Sequence, residues 1–254
     1  MQVPLVSIVM PCHNAEPFIA YAILSVIRQT YANWELLVID DCSCDGSLSI
    51  IEHFAARDHR IKILKNSENR GVALSRNAGI QQSQGTYIAF LDADDAWSSY
   101  KLQKQIAFML SHRCPIAYTA HIFINEKGKT VGRAYCPPKA VSYKKLFHAN
   151  VLCCSSVMVQ SNVMKRHLFD PLAFHEDFAA WLRILQEVNF AYGLTEPLTE
   201  YRIMNSTKSA DKFKSAKATY DLYRKTFKFS IFKSSALFCM YAINGARKFM
   251  RRWC

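Results

Sequence analysis

The stretch that most constrains the fold is Gly85-Thr-Tyr-Ile-Ala-Phe-Leu-Asp-Ala-Asp-Asp95, a β-branched and aromatic run that ends in three carboxylates within four positions. Uncharged from Tyr87 to Leu91, it reads as a central parallel strand covered on both faces, which delivers Asp92, Asp94 and Asp95 to its carboxyl tip. Open α/β sheets bind their ligands at such tips. Three adjacent carboxylates repel one another unless a cation neutralises them, and hard oxygen donors at this spacing suit Mg²⁺ or Mn²⁺ shared with a phosphate. The alternative is a solvated turn. For Asp95 a cap on a helix beginning near Ser99 stands level with a ligand role.

The preceding sequence repeats one rhythm. A strand over 5–10, stopped by Pro11, opens into Cys12-His13-Asn14, and a helix over 16–31 follows with Ile19, Ala22, Ile23, Val26 and Ile27 at three- and four-residue intervals. A strand over 34–39 ends in Asp40-Asp41; then come a helix from Asp45 through Ala56, a strand over 61–64, a helix over 71–82 and the strand over 87–91. Strands starting near 5, 35, 61 and 87 imply a parallel, right-handed wound sheet. Beyond the acidic tip the pattern turns mixed. It holds a helix over 99–111, strands over 116–124 and 130–135 joined at Glu126-Lys-Gly128, a strand over 157–159, and a helix over 161–167. A helix over 176–187 carries Glu176-Asp177 in its first turn, and short strands follow over 190–194 and 198–203.

With 254 residues and 50% apolar content, the chain can bury one substantial core. One domain over 1–211, divided at 98/99, with a tail over 212–254 is the expected organisation. The tail holds eleven Lys and Arg against the single acid Asp221, so it carries +10 of the total +12. A nearly neutral domain with a basic tail points to an anionic surface as partner. Phe213, Ala216, Tyr220, Tyr223 and Phe227 recur at helical intervals, and the longest uncharged run, 234–246, is too short to span a bilayer. Lying on an anionic membrane surface is the expectation; a helix pair packed on the domain is the competing reading. Basicity and aromatics without a recognisable module give no ground for a nucleic-acid partner. No cationic leader precedes the first strand, so the chain is expected in the cytoplasm. Nine scattered cysteines lack zinc-site spacing and read as reduced, mostly packing thiols; Cys42 and Cys44 make only half a metal site.

Five segments carry a resemblance when taken in order: Ser7-Ile-Val-Met-Pro-Cys-His-Asn14, Val38-Ile-Asp-Asp-Cys-Ser-Cys-Asp-Gly46, Asn69-Arg-Gly-Val-Ala-Leu-Ser-Arg-Asn-Ala-Gly79, Phe90-Leu-Asp-Ala-Asp-Asp95 and Glu176-Asp177. They resemble the successive signatures of family 2 glycosyltransferases, inverting enzymes of the GT-A fold, over about the first 210 residues. The resemblance implies an α/β chain with one Rossmann-like, mostly parallel sheet flanked by helices, a smaller mixed acceptor region and a basic helical tail. It implies that Pro11, His13 and Asn14 border the nucleobase and that Asp41 accepts the imide N–H of uracil, a polarity that favours a UDP-sugar over a CDP-sugar. Arg76 would lie against the base or the diphosphate. Asp92 would sit near the ribose and the cation, Asp94 would ligate Mn²⁺ or Mg²⁺ directly, Asp177 would be the catalytic base and Glu176 its positioner. Acids at a helix N-terminus also arise for the macrodipole alone. Tyr201-Arg202 resembles a late motif that often has a histidine where Met204 stands here, leaving Thr207, Lys208 and Ser209 to close over the diphosphate.

The implied activity is transfer of one hexose or N-acetylhexosamine from a UDP-sugar to an undecaprenyl-diphosphate-linked oligosaccharide, in bacterial surface polysaccharide synthesis at the cytoplasmic face of the inner membrane. A dinucleotide-dependent oxidoreductase is disfavoured, because Pro11-Cys-His-Asn14 is not a glycine-rich phosphate loop. A catalytically silent sugar-nucleotide-binding protein would share every motif.

Overall fold

The computed structural model describes the backbone of residues 3–204 and 212–253 and the side chains of 3–204 and 214–246. The elements run β1 (Val6–Cys12), α1 (Ile19–Ile27), β2 (Trp34–Asp40), α2 (Ser47–Ala55), β3 (Ile61–Lys65), α3 (Val72–Gln82) and β4 (Tyr87–Phe90). There follow β5 (Ala96–Trp97), α4 (Lys101–His112), β6 (Ile116–Ile124), β7 (Ala140–Ser142), α5 (Tyr143–Leu146), β8 (Met158–Gln160), α6 (Ser161–Met164), α7 (Glu176–Val188) and β9 (Phe190–Arg202). The tail forms α8 (Lys212–Asp221), a π turn (Leu222–Thr226) and α9 (Ile231–Trp253).

All described strands join one mixed sheet in the order β3-β2-β1-β4-β8-β6-β9-β5, with β7 on β9. The β3-β2-β1-β4 half is parallel throughout. The chain winds outward from β1 to β3 and then crosses by α3 to β4 on the other side of β1. That reversal opens a crevice beyond the carboxyl ends of β1 and β4, where His13 and the acidic tip lie. Every position of β1 and β2 is buried. Their alternation splits the core: Val6, Ile8 and Met10 pack with α1, α2 and α4, whereas Val9, Leu37 and Ile39 pack with α3, α6 and α7. The edge strand β3 is part polar, and its lysines pair inward, Lys62 with Glu35 at 2.8 Å and Lys65 with Glu52 at 2.6 Å. Charges on an edge discourage pairing with another chain.

The helices and strands of the first half fall where the pattern places them, with ends shifted by at most four residues. Four other expectations need correction. Pro11 does not stop β1, which runs to Cys12; the ladder to β4 ends at Val9↔Phe90, so the absent proline N–H costs no bond there. Residues 130–135 form no strand and touch β6 only at the bridges His121↔Tyr135 and Ile124↔Thr130, because Gly132 at φ 66° turns the backbone between them. Residues 190–203 make one strand rather than two, since Pro197 is absorbed where the β6 register shifts around Ala120. Asp95 does not cap a helix, because Ala96–Trp97 pairs antiparallel with β9.

The tail folds onto the domain. Leu222 and Tyr223 enter the core beside α7, the Tyr223 hydroxyl donates to Phe147 O at 2.6 Å, and Tyr241 meets Phe178 with ring centres 5.9 Å apart. The other face of α9 leaves Ile231, Phe232, Met240 and Ile243 exposed, Phe232 by 89%. No helix among the described residues is long and apolar enough to cross a membrane. The thiols divide: Cys12, Cys114 and Cys154 are buried, but Cys42, Cys44, Cys136 and Cys239 are exposed rather than packed.

Gly85 leads into β4 with no room for a side chain, as an added Cβ would lie 2.6 Å from Ser7 N and 2.7 Å from Leu5 O. Gly85→Ala should therefore lower unfolding stability by about 1–3 kcal/mol, the usual cost of overpacking. Gly245, inside α9 with nothing within 4 Å, should gain roughly 0.5–1 kcal/mol on substitution by Ala. Urea denaturation of both variants checks the contrast, and equal midpoints would refute it.

Candidate active site

The crevice is built from strand ends. His13, past β1, has Nδ1 2.8 Å from Asp41 O and Nε2 3.0 Å from Asn69 Nδ2 and 3.3 Å from Asn14 Nδ2. Those partners fit a neutral ring with the proton on Nδ1. Asn14 takes φ 50° and accepts from Cys44 N at 2.9 Å, so the Cys42–Cys44 segment is loop packing against the β1 tip. Pro11 is buried at the end of β1.

Asp41 follows β2 and is only 3% exposed. Its carboxylate accepts from Asn66 Nδ2 at 2.7 Å, Arg70 N at 2.9 Å and Gly71 N at 2.8 Å. Burial alone would raise this carboxyl, but these bonds outweigh it and hold it below the ordinary range. Asp41 therefore fixes the turn at Gly71, φ 84°, from which α3 starts. The start of α2 is served instead by Asp45, whose Oδ1 accepts Ser47 N at 3.0 Å.

At the β4 tip the three acids take three different positions. Asp95 is buried, accepting Ser155 Oγ at 2.6 Å and Arg202 N at 2.8 Å; burial and then its neighbours Asp94 and Asp92 push its carboxyl well above the usual range. It is a structural member of the loop. Ser155 also receives Asp92 N at 3.1 Å, and Arg202 donates from Nε to Asp94 O at 2.7 Å. Ser155 and the backbone-clamping role of Arg202 were missed in the sequence, where Cys153-Cys-Ser-Ser156 gives no motif. Apart from its own backbone N–H, the Asp94 carboxylate has no hydrogen-bond or ion-pair partner among the described residues. Burial, and next the charge of Asp92, push it up to about 6.

Asp92 and Glu176 meet through Arg76. The guanidinium, 4% exposed, donates from Nη2 to Asp92 Oδ1 at 2.6 Å and from Nη1 to Glu176 Oε1 at 3.0 Å. Burial works against its charge, yet the adjoining acids, Asp92 foremost, keep it protonated well above its usual value. Asp177 follows Glu176 at the start of α7, with Oδ1 accepting Phe178 N at 2.7 Å. Burial and then Glu176 raise its carboxyl. The buried Cys154 thiol is raised chiefly by its burial, with the nearby charge of Arg76 lowering it and those of Asp92 and Asp177 raising it. Beside them a cavity of about 100 Å³ runs between Arg70–Ala73 and Pro171, Ala173 and Glu176. His175, just before the pair, has Nε2 3.1 Å from Ser215 O on α8. Thr207, Lys208 and Ser209 lie outside the described residues.

Among the described residues no three His, Cys, Asp or Glu side chains gather into a self-sufficient metal site. A hard divalent cation that takes most of its oxygens from a diphosphate and water needs fewer protein donors. The Asp94 carboxylate, raised by burial and by the charge of Asp92 beside it, fits one.

An open, mostly parallel sheet with acids at the switch-point crevice, tied through Arg76 to an acid at the start of α7, is the arrangement of a sugar-nucleotide transferase of GT-A type. Residues 7–168 match the family model "Glycosyl transferase family 2". With full-length relatives alongside that match, the chain belongs to glycosyl transferase family 2. It is 33% identical to "Putative teichuronic acid biosynthesis glycosyltransferase TuaG" of Bacillus subtilis over 96% of this chain and 97% of that one. It is 38% identical to "UDP-Glc:alpha-D-GlcNAc-diphosphoundecaprenol beta-1,3-glucosyltransferase WfgD" of Escherichia coli over 86% of this chain and 85% of the relative. The S. aureus TarS 1–349 structure in complex with UDP-GlcNAc shares the fold, with TM-score 0.72 and 18% identity over 93% of this chain and 71% of that one.

The raised Asp94 carboxyl gives a stability test. A carboxylate whose folded pKa of about 6 exceeds its unfolded value near 4 supports the fold below the unfolded value and loses that support as pH rises through 6. Asp94→Asn should thus stabilise the cation-free protein at pH 7.5 by on the order of 2 kcal/mol, allowing for solvent screening, and have little effect near pH 4. Melting curves at both pH values measure it; the same gain at each would refute the assignment.

Proposed function

We propose that this chain transfers a single hexose or N-acetylhexosamine, with inversion, from a UDP-sugar to an undecaprenyl-diphosphate-linked oligosaccharide during bacterial surface polysaccharide synthesis. One observation carries the reading: a single buried guanidinium holds an acid of the β4 tip and an acid of the α7 start, so donor and base stations share one crevice. Relatives named for UDP-Glc and a diphosphoundecaprenol acceptor support the donor and acceptor class.

In this reading His13 offers a ring face to the uracil, with Pro11 and Asn14 shaping the loop, and a remaining lone pair of Asp41 accepts the imide N–H. Asp94 and Asp92 would hold Mn²⁺ or Mg²⁺, which when bound neutralises charge on the diphosphate. The acceptor hydroxyl oxygen attacks the anomeric carbon, the carbon–oxygen bond to UDP breaks, and UDP leaves with the bonding electron pair. Asp177 takes the hydroxyl proton, and burial beside Glu176 strengthens it as a base. Displacement on an α-linked donor yields a β-linkage. The domain over 1–211 does this chemistry, split at 98/99 into donor and acceptor halves.

The tail over 212–254 holds the enzyme on the cytoplasmic face of the inner membrane. Its α9 leaves Phe232, Met240 and Ile243 exposed, and the tail sequence is strongly basic, as an anionic lipid surface requires.

Transfer from radiolabelled UDP-sugars with Mn²⁺ tests the chemistry. Asp177→Asn should cut kcat roughly 100- to 10 000-fold, and Asp94→Ala should abolish the response to Mn²⁺; a wild type inert on a broad donor and acceptor panel would overturn the proposal. Sedimentation with phosphatidylglycerol vesicles tests the tail. Phe232→Glu with Ile243→Glu should release the protein at unchanged melting temperature, and wild type that ignores such vesicles would remove the membrane partner.

A further inference from the structure

Arg76 sits buried between two acids from distant segments. Both Nη atoms are engaged by protein carboxylates, one from the tip of β4 and one from the first residue of α7, and 96% of the residue is withdrawn from solvent. Its Nε–H is buried without a hydrogen-bond partner among the described residues, and its Cζ lies 5.3 Å from the centre of the Phe169 ring. Phe169 is itself fixed by Asn77 of the same helix, which donates to Phe169 O at 2.8 Å and accepts Phe169 N at 2.9 Å. Among the described residues no other ion pair joins the β4 tip to α7. A planar fork holds two carboxylates at a set separation, which a point charge on a flexible stem does not. Cutting a buried ion pair at one end leaves the other charge stranded, so the arrangement resists adjustment.

Taking the glycosyl-transfer reading as given, we propose that Arg76 is a positioning residue rather than a donor contact: by clamping Glu176 to Asp92 it sets the distance between the diphosphate end of the crevice and the Asp177 carboxylate. The binding of UDP does not require the tie. The attack of the acceptor hydroxyl does, because a misplacement of about 1 Å can cost on the order of 100-fold in rate.

The test compares Arg76→Lys, Glu176→Gln and the double variant with wild type. Each single variant should lower kcat about 10- to 100-fold while the KM for UDP-sugar and the calorimetric Kd for UDP change less than about 3-fold. The double variant should be no slower than the slower single one, because both cut the same tie. Amide hydrogen exchange should rise in the first turn of α7 and stay unchanged in β4. Glu176→Gln severs the tie even where Arg76→Lys fails to fold. Loss of UDP affinity with kcat unaltered would overturn the proposal in favour of a donor contact. Multiplicative losses, or unchanged exchange in α7, would equally overturn it. Inert wild type would count against the glycosyl-transfer reading, while the exchange and UDP-affinity measurements would still decide the role of Arg76.

Discussion

Burying carboxylates at the end of a central strand is the constraint around which this molecule is arranged. Asp92, Asp94 and Asp95 leave β4 within four residues, the first two half-buried and the third buried. The structure resolves the repulsion three ways: Asp95 is satisfied by Ser155 and the Arg202 amide, Asp92 by Arg76, and Asp94 is raised with no side-chain partner among the described residues. Neutralising all three internally would leave nothing to hold a cation and phosphates, while neutralising none would be too costly to fold. The compromise leaves charge only where substrate can meet it.

The same economy links the halves of the sheet. Parallel strands β1 to β4 create the crevice by reversing direction of winding at β1, and the turn Cys154–Ser156 before β8 and the end of β9 supply Ser155 and Arg202. Helix α7 then brings Glu176 to that crevice through Arg76, backed by the apolar contacts of Phe178, Trp181 and Leu182 in the core. The tail contributes as well: α8 touches His175 and α9 packs Tyr241 on Phe178, so the helices with the exposed apolar face also buttress the start of α7.

Much of this was legible before any coordinates. The βα rhythm, the buried central strands and the acidic tip follow from local pattern, because a strand covered on both faces must be uncharged and its tip is where polarity returns. Helix α7 and its leading acids were equally plain. What failed was what depends on neighbours. Pro11 looked like a stop because nothing local reveals that β4 has already ended beside it, Pro197 looked like a break because the register shift that absorbs it belongs to β6, and Asp95 stood between cap and ligand because its partner Arg202 is remote in the chain.

The sequence by itself determined the kind of sheet, the residues that carry charge to its crevice and the family to which they correspond. Periodicity and residue chemistry are local properties, and they survive without a fold. Only the tertiary structure decided how those charges divide the work: that Asp41 holds the turn into α3, that Asp95 is spent inside the loop, and that Arg76 joins Asp92 to Glu176. Burial and pairing are relations between distant segments, and the energy of a charge in a protein is fixed by what surrounds it rather than by its place in the chain.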